Sequence, residues 1–204
     1  MALHIEDIED PSKFRQILAI SYTDLVGFIF KYLGKLSGFM LFFWLVCILF
    51  LLLSIYLKIA VASYYDTIIH SLLGFIIFPV ICIPVHEALH IIPYYISGAT
   101  DIRVGMDLRQ LIFYVTAHRY ITTPRQFKVV ALIPFVIISI AVIILILILP
   151  GLWKWSLSVF LFVHATMCAG DFALLNFYYV NRDKEIYTWD DADEKMAYFY
   201  EKIE

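Results

Sequence analysis

Residues 86–90 read HEALH, two histidines and a glutamate set inside the apolar run ICIPVHEALHII. On a helix, His86 and His90 are four residues apart, so their rings leave one face about one turn apart, the spacing that lets both hold one zinc ion. Glu87 stands beside them, where it can act as general base toward a metal-activated water. A catalytic zinc takes three protein ligands and leaves one position open. The third ligand must therefore come from elsewhere, and His70, His118, His164, Asp66 and Asp171 lie in or beside apolar segments. Polar groups placed this way cost on the order of 2.5–3.5 kcal/mol each near a bilayer centre, and such groups usually face a bundle interior and serve a function.

The elements that must position these residues are set by an apolar composition. Of the 204 residues, 62% are hydrophobic and 16% charged, and the mean hydropathy is +0.84. Soluble domains hold roughly 45–50% apolar residues, so a bilayer is the expected solvent. A net charge of −3 with no basic patch argues against nucleic-acid binding. Cys47, Cys82 and Cys168 each lie in an apolar stretch and read as small buried hydrophobes rather than a disulfide framework. The opening residues lack the pattern of a cleaved signal peptide, and none is expected.

A helix needs about 20 apolar residues to cross ~30 Å of hydrocarbon. Four stretches qualify, at about 37–60, 67–97, 129–149 and 155–179, with Pro79, Pro84 and Pro93 predicted to kink the second. Of the fifteen Lys and Arg residues, all but Lys58 and Lys154 fall before the first stretch, between the second and third, or after the fourth. The positive-inside rule then places both termini and the middle loop in the cytosol. Within that loop IRVGMDLRQLIFYVTAHRY alternates in part and suggests a strand pair, and Thr123-Pro124 restarts a helix. Before the first span, Phe14, Ile17, Leu18, Leu25 and Phe28 predict one face of an interfacial helix; the acidic tail WDDADEKMAYFYEKIE reads as a short helix. The expected fold is an all-α polytopic membrane protein with four transmembrane helices and a short β-hairpin or re-entrant segment between the second and third.

Depth selects among the candidate ligands. Counting 1.5 Å per residue from the cytosolic ends, His86 lies about 18 Å deep, His90 about 12 Å and Asp171 about 15 Å, whereas His164 lies roughly 25 Å deep and His70 deeper. Asp171 is level with the histidine pair, and Ala169-Gly170 before it would allow close helix approach; the alternative is that Asp171 caps a helix break or pairs with an arginine of the middle loop. His164 shares roughly one face with Asp171 and reads as a group supporting a metal ligand, as a substrate or transition-state contact, or as a helix-bridging histidine. His118 in TAHRY would stabilise an oxyanion if the loop folds into the bundle mouth, and otherwise is an interfacial histidine.

HEALHIIPYYISGA, IRVGMDLRQLIFYVTAHRYITTPRQF, ALIPFVIISIAVII and CAGD together resemble a family of membrane zincin peptidases related to the intramembrane site-2 zinc metalloproteases, over most of the chain from about residue 70. The resemblance implies an intramembrane metalloprotease fold, and the spans above then divide the chain into a cytosolic or interfacial N-terminal helix at 1–36, a four-span membrane domain at 37–181 and a cytosolic acidic tail at 182–204. It also implies His86, His90 and Asp171 as ligands of one Zn2+ per chain, with Glu87 as the base. Where better-known site-2 proteases carry an Asn-Pro-Asp-Gly type motif, this chain has Cys168-Ala169-Gly170-Asp171. The expected partners are membrane lipids and a membrane-associated protein or peptide substrate, with a homo-oligomer compatible, and the expected location is the plasma membrane. The competing reading is a catalytically inactive metal-binding scaffold or sensor. Four spans without repeats or paired broken helices argue against a transporter, and six scattered histidines cannot supply the boxes of a di-iron desaturase.

Overall fold

The computed structural model describes residues 3–60, 64–107, 109–110 and 112–203. The chain runs α1 (Ile5–Ile8), β1 (Phe14–Ser21), a 3-10 turn (Tyr22–Asp24), α2 (Leu25–Gly34), α3 (Gly38–Ile59), α4 (Tyr64–Leu72), a π-turn (Leu73–Ile77) and α5 (Phe78–Ile96). It continues through β2 (Ile102–Asp107), β3 (Ile112–Ala117), α6 (Pro124–Ile148), α7 (Leu152–Met167), α8 (Ala169–Val180), β4 (Ile186–Asp191) and β5 (Met196–Lys202).

Three helices are long and apolar enough to cross a membrane: Gly38–Ile59, Asp66–Ile96 and Pro124–Ile148. Leu41, Phe42, Leu45, Ile48, Leu49 and Leu52 on α3 are exposed, an apolar surface that lipid covers and water would not. This is a membrane protein. The fourth expected span is not one helix, because α7 and α8 meet at Cys168 with a 46° bend. At 1.5 Å per residue the two halves reach only about 24 and 18 Å, each short of the hydrocarbon thickness. The second span is one continuous helical run through Pro79, Pro84 and Pro93, with a π-turn over Leu73–Ile77 just before the first of them. Gly74 in that turn lets the backbone lie against α7, since a Cβ there would sit 2.5 Å from the Ser156 carbonyl oxygen.

The all-α expectation is overturned. The strands form a three-stranded antiparallel sheet, ordered β1-β5-β4, and a β2-β3 hairpin. The hairpin matches the strand pair read from the middle loop; the other sheet was unforeseen. Phe14–Ser21 is a strand rather than part of an interfacial helix, and only Leu25–Gly34 is helical there. The acidic tail is the β4-β5 hairpin, not a helix. Aromatic and β-branched residues alternate along it, Asp191 Oδ1 accepts from the Asp193 and Glu194 backbone N–H groups to make the turn, and Lys195 takes φ 55°. Isolated bridges, His118 with Asp190 and Thr122 with Thr188, tie the hairpin and the start of α6 to this sheet. Both ends of the chain therefore lie on one side of the molecule. The three cysteines are buried and free, as read.

Two local devices fix the helix ends that matter. Thr123 caps α6 in a capping box with Gln126, and Pro124 occupies the first turn. Asn176 on α8 is fully buried. Its Nδ2 donates to the carbonyls of Tyr32 (2.7 Å) and Lys35 (2.8 Å), and its Oδ1 accepts from Ser37 Oγ (2.6 Å). Ser37 in turn caps α3 by accepting from Met40 N, so one side chain joins α8 to the end of α2 and the start of α3.

Two stability outcomes follow from these contacts. Asn176→Ala removes three hydrogen bonds, one of them fully buried, and is expected to cost about 2–4 kcal/mol, read as a lowered melting temperature in detergent. Asp190, partly buried beneath the sheet and hydrogen-bonded by Tyr22 and Thr116, has its carboxyl pushed up to about 6 by burial, against the pull of those hydrogen bonds. The unfolded chain ionises this group near 3.8 and the folded one near 6, so its contribution is full below 3.8 and is lost as pH rises to 6. Asp190→Asn is therefore expected to gain on the wild type across that window, by on the order of 1–3 kcal/mol at pH 7.5, in paired melts at pH 4 and 7.5.

Candidate metal centre

His86 and His90 occupy successive turns of α5 and are both buried. The end of that helix is held by a left-handed Gly98 (φ 98°), with Ala99 N–H donating to the Tyr94 carbonyl, and by Tyr120 Oη donating to the Ser97 carbonyl at 2.5 Å. Asp171 enters from the first turn of α8, just past the bend.

The three side chains converge. The two Nε2 atoms are 3.3 Å apart; His86 Nε2 is 3.3 Å from Asp171 Oδ2, and His90 Nε2 is 3.6 Å from Asp171 Oδ1. Tetrahedral zinc with ligands at about 2.0–2.1 Å has ligand–ligand edges of about 3.3–3.4 Å, so the donor set matches both the spacing and the chemistry of such an ion. His90 Nδ1 lies 3.0 Å from the Val130 carbonyl oxygen on α6. A carbonyl only accepts, so that nitrogen carries the proton and Nε2 keeps the lone pair a metal requires. His86 Nδ1 lies 3.3 Å from His164 Nε2.

A cavity of about 380 Å³ opens over these groups, within the range of small-molecule and substrate sites. Glu87 lines it beside His86, His90 and Asp171. The opposite walls include Phe28 of α2 and residues Ile112 to Val115 of β3, so the N-terminal segment and the middle-loop hairpin complete it.

The remaining sequence candidates fall elsewhere. His118 does not line the cavity; its Nδ1 accepts from the Ala192 N–H at 3.0 Å and its Nε2 lies 3.5 Å from Asp193 Oδ2. Arg103 bridges Asp193 (2.6 Å) and Asp101 (2.8 Å), so Asp193 is already paired with a cation the chain supplies. His70 Nδ1 lies 2.6 Å from Ser156 Oγ and its ring stands edge-on to Trp153. His164, too deep on a straight helix to reach the pair, touches His86 because the bend at Cys168 brings α7 and α8 to one point. In the sequence, Ala169 and Gly170 point to close helix approach, and the break enters only through the alternative role of Asp171 as a cap. The Val130 carbonyl and the β3 wall carried no sign at all.

The sequence profile of a family described as "Putative zincin peptidase" matches residues 79–185, just over half of the chain. The chain belongs to the zincin-peptidase family. No curated protein and no solved structure matches it. The matched range contains the whole donor set and Glu87, and zincin peptidases are by that description zinc hydrolases. In this family member, His86, His90 and Asp171 are the residues that would hold the ion.

Protein purified in detergent is expected to carry about one zinc ion per chain by mass spectrometry, the occupancy of one three-ligand site. His86→Ala and Asp171→Ala should each abolish it, and a wild type free of metal after mild purification would disprove the site.

Proposed function

We propose that this protein is an intramembrane zinc metallopeptidase, acting in the manner of site-2 proteases on peptide bonds of membrane-associated proteins or peptides. The observation that carries the reading is the convergence of His86, His90 and Asp171 within 3.3–3.6 Å in a cavity that Glu87 also lines. Bound zinc supplies a Lewis acid toward the peptide carbonyl and lowers the pKa of water toward ~7.

The chain's own residues supply the rest. Glu87 takes a proton from the attacking water and delivers it to the departing amine as the C–N bond breaks. The Val130 carbonyl holds His90 in the ligating tautomer. Among the described residues β3 pairs with β2 alone, the isolated His118 bridge lying just past its end, and residues 112–115 of this strand line the cavity. That edge suits an extended substrate segment, which would add to it by main-chain hydrogen bonds and bring its scissile bond toward Glu87.

The basic residues and the shared β1-β5-β4 sheet support both termini on the cytosolic side of the plasma membrane, an orientation that takes the bent α7–α8 pair as one broken crossing beside the three full-length spans. The exposed apolar side chains of α3 accord with a bilayer around the helices.

Glu87→Gln is the deciding variant. It should retain zinc yet lose about 10²–10⁴-fold in cleavage of a fluorogenic transmembrane peptide, the usual scale of a lost general base. Unchanged cleavage would disprove the assignment. A wild type that binds zinc and cleaves no membrane peptide would favour the scaffold or sensor reading.

A further inference from the structure

His164 is fully buried on α7, one turn before the bend. Its ring meets that of His86 edge-on, with centroids 5.5 Å apart and planes at 64°. The nitrogens facing each other, His86 Nδ1 and His164 Nε2, are 3.3 Å apart. The other ring nitrogen, His164 Nδ1, is buried without a hydrogen-bonding partner among the described residues. A buried polar atom left unpartnered costs stability, and a phenylalanine of nearly the same shape would avoid that cost.

The metal reading explains why the histidine is there. If His86 presents its Nε2 lone pair beside Asp171 and His90, its proton must sit on Nδ1, and the acceptor facing Nδ1 is His164 Nε2. A neutral His164 that accepts there carries its own proton on Nδ1, the atom left without a partner. The unsatisfied nitrogen is thus the consequence of keeping an acceptor aimed at His86. Val130 does for His90, with a carbonyl, what His164 does for His86 with an imidazole.

From these contacts we infer that His164 is a positioning residue that fixes the tautomer and ring orientation of His86 and thereby sets the zinc affinity of the site. This rests on the metallopeptidase reading above. An alternative use of the same atoms is an ion held by His86, His164 and Cys168, whose donor atoms also lie within 4.8 Å of one another. That site would take His86 by Nδ1 and turn its other nitrogen away from use. Cys168 Sγ is 3.8 Å from His164 Nε2, and neither His164 nor Cys168 lines the cavity, so the His86, His90 and Asp171 face is favoured.

The test compares full-length wild type, His164→Phe, His164→Gln and Cys168→Ala in detergent. Zinc affinity is read by chelator competition, the metal-free melting temperature by thermal unfolding, and the ligand field by the cobalt(II) spectrum. His164→Phe fills the space but removes the acceptor, and should weaken zinc binding about 10–100-fold, the usual cost of losing such a partner, with the metal-free protein melting at or above the wild-type temperature. His164→Gln places its carbonyl oxygen near the position of Nε2 and should restore most of the affinity. Cys168→Ala should leave affinity and spectrum unchanged.

Wild-type affinity in His164→Phe would overturn the inference alone. So would His164→Gln as weak as His164→Phe, and this comparison decides the matter even if the Phe variant folds poorly. A thiolate charge-transfer band lost in Cys168→Ala would place the ion on the other side of His86 and also overturn it. A wild type that takes up no zinc would overturn this inference and the metallopeptidase reading together.

Discussion

Three lone-pair donors, the Nε2 atoms of His86 and His90 and the Asp171 carboxylate, stand within 3.6 Å of one another among apolar helices. With the two ring nitrogens unprotonated, all three atoms are acceptors and none can satisfy another, so the arrangement is tolerable only if something positive sits among them. Much of the local structure follows from that demand. The backbone of α6 offers a carbonyl to His90, α7 offers an imidazole to His86, and the bend between α7 and α8 brings the imidazole and the carboxylate to the same point.

The bend is useful because it breaks a rule of straight helices. On a continuous helix, His164 and Asp171 are seven residues and about 10 Å apart along the axis, and only one of them could meet the histidine pair. With a 46° turn at Cys168 the two reach His86 from either side. Asn176, five residues beyond Asp171, then ties the short α8 to the ends of α2 and α3 through three hydrogen bonds, beside the apolar burial of Phe172, Leu175, Phe177 and Tyr178.

The cavity also depends on the non-helical parts. The β2-β3 hairpin supplies one wall and α2 another, while β1, pairing with β5 from the other end of the chain, anchors the segment that leads into α2. The strands thus complete the site from the side where the basic residues gather, and the helices supply its metal-binding face.

What the sequence by itself determined is whatever rests on local spacing and composition. The apolar excess declared a membrane protein, the i, i+4 histidines with Glu87 declared one helical face, Thr123-Pro124 declared the start of α6, and alternation in the middle loop declared a hairpin. Asp171 could be matched to the histidine pair by depth because the count to each helix end is short. What only the tertiary structure decided depends on contacts between distant residues. Phe14–Ser21 becomes a strand because β5 is there to pair with it, a partner whose hydrogen bonds leave no periodic trace near residue 14. The tail folds into a hairpin because its aromatic side chains bury against the chain's first residues, as Phe14 does on Tyr187. The fourth apolar stretch bends, and so His164 reaches His86, because packing at Cys168 overrides an apolar pattern that either a straight or a broken helix would satisfy.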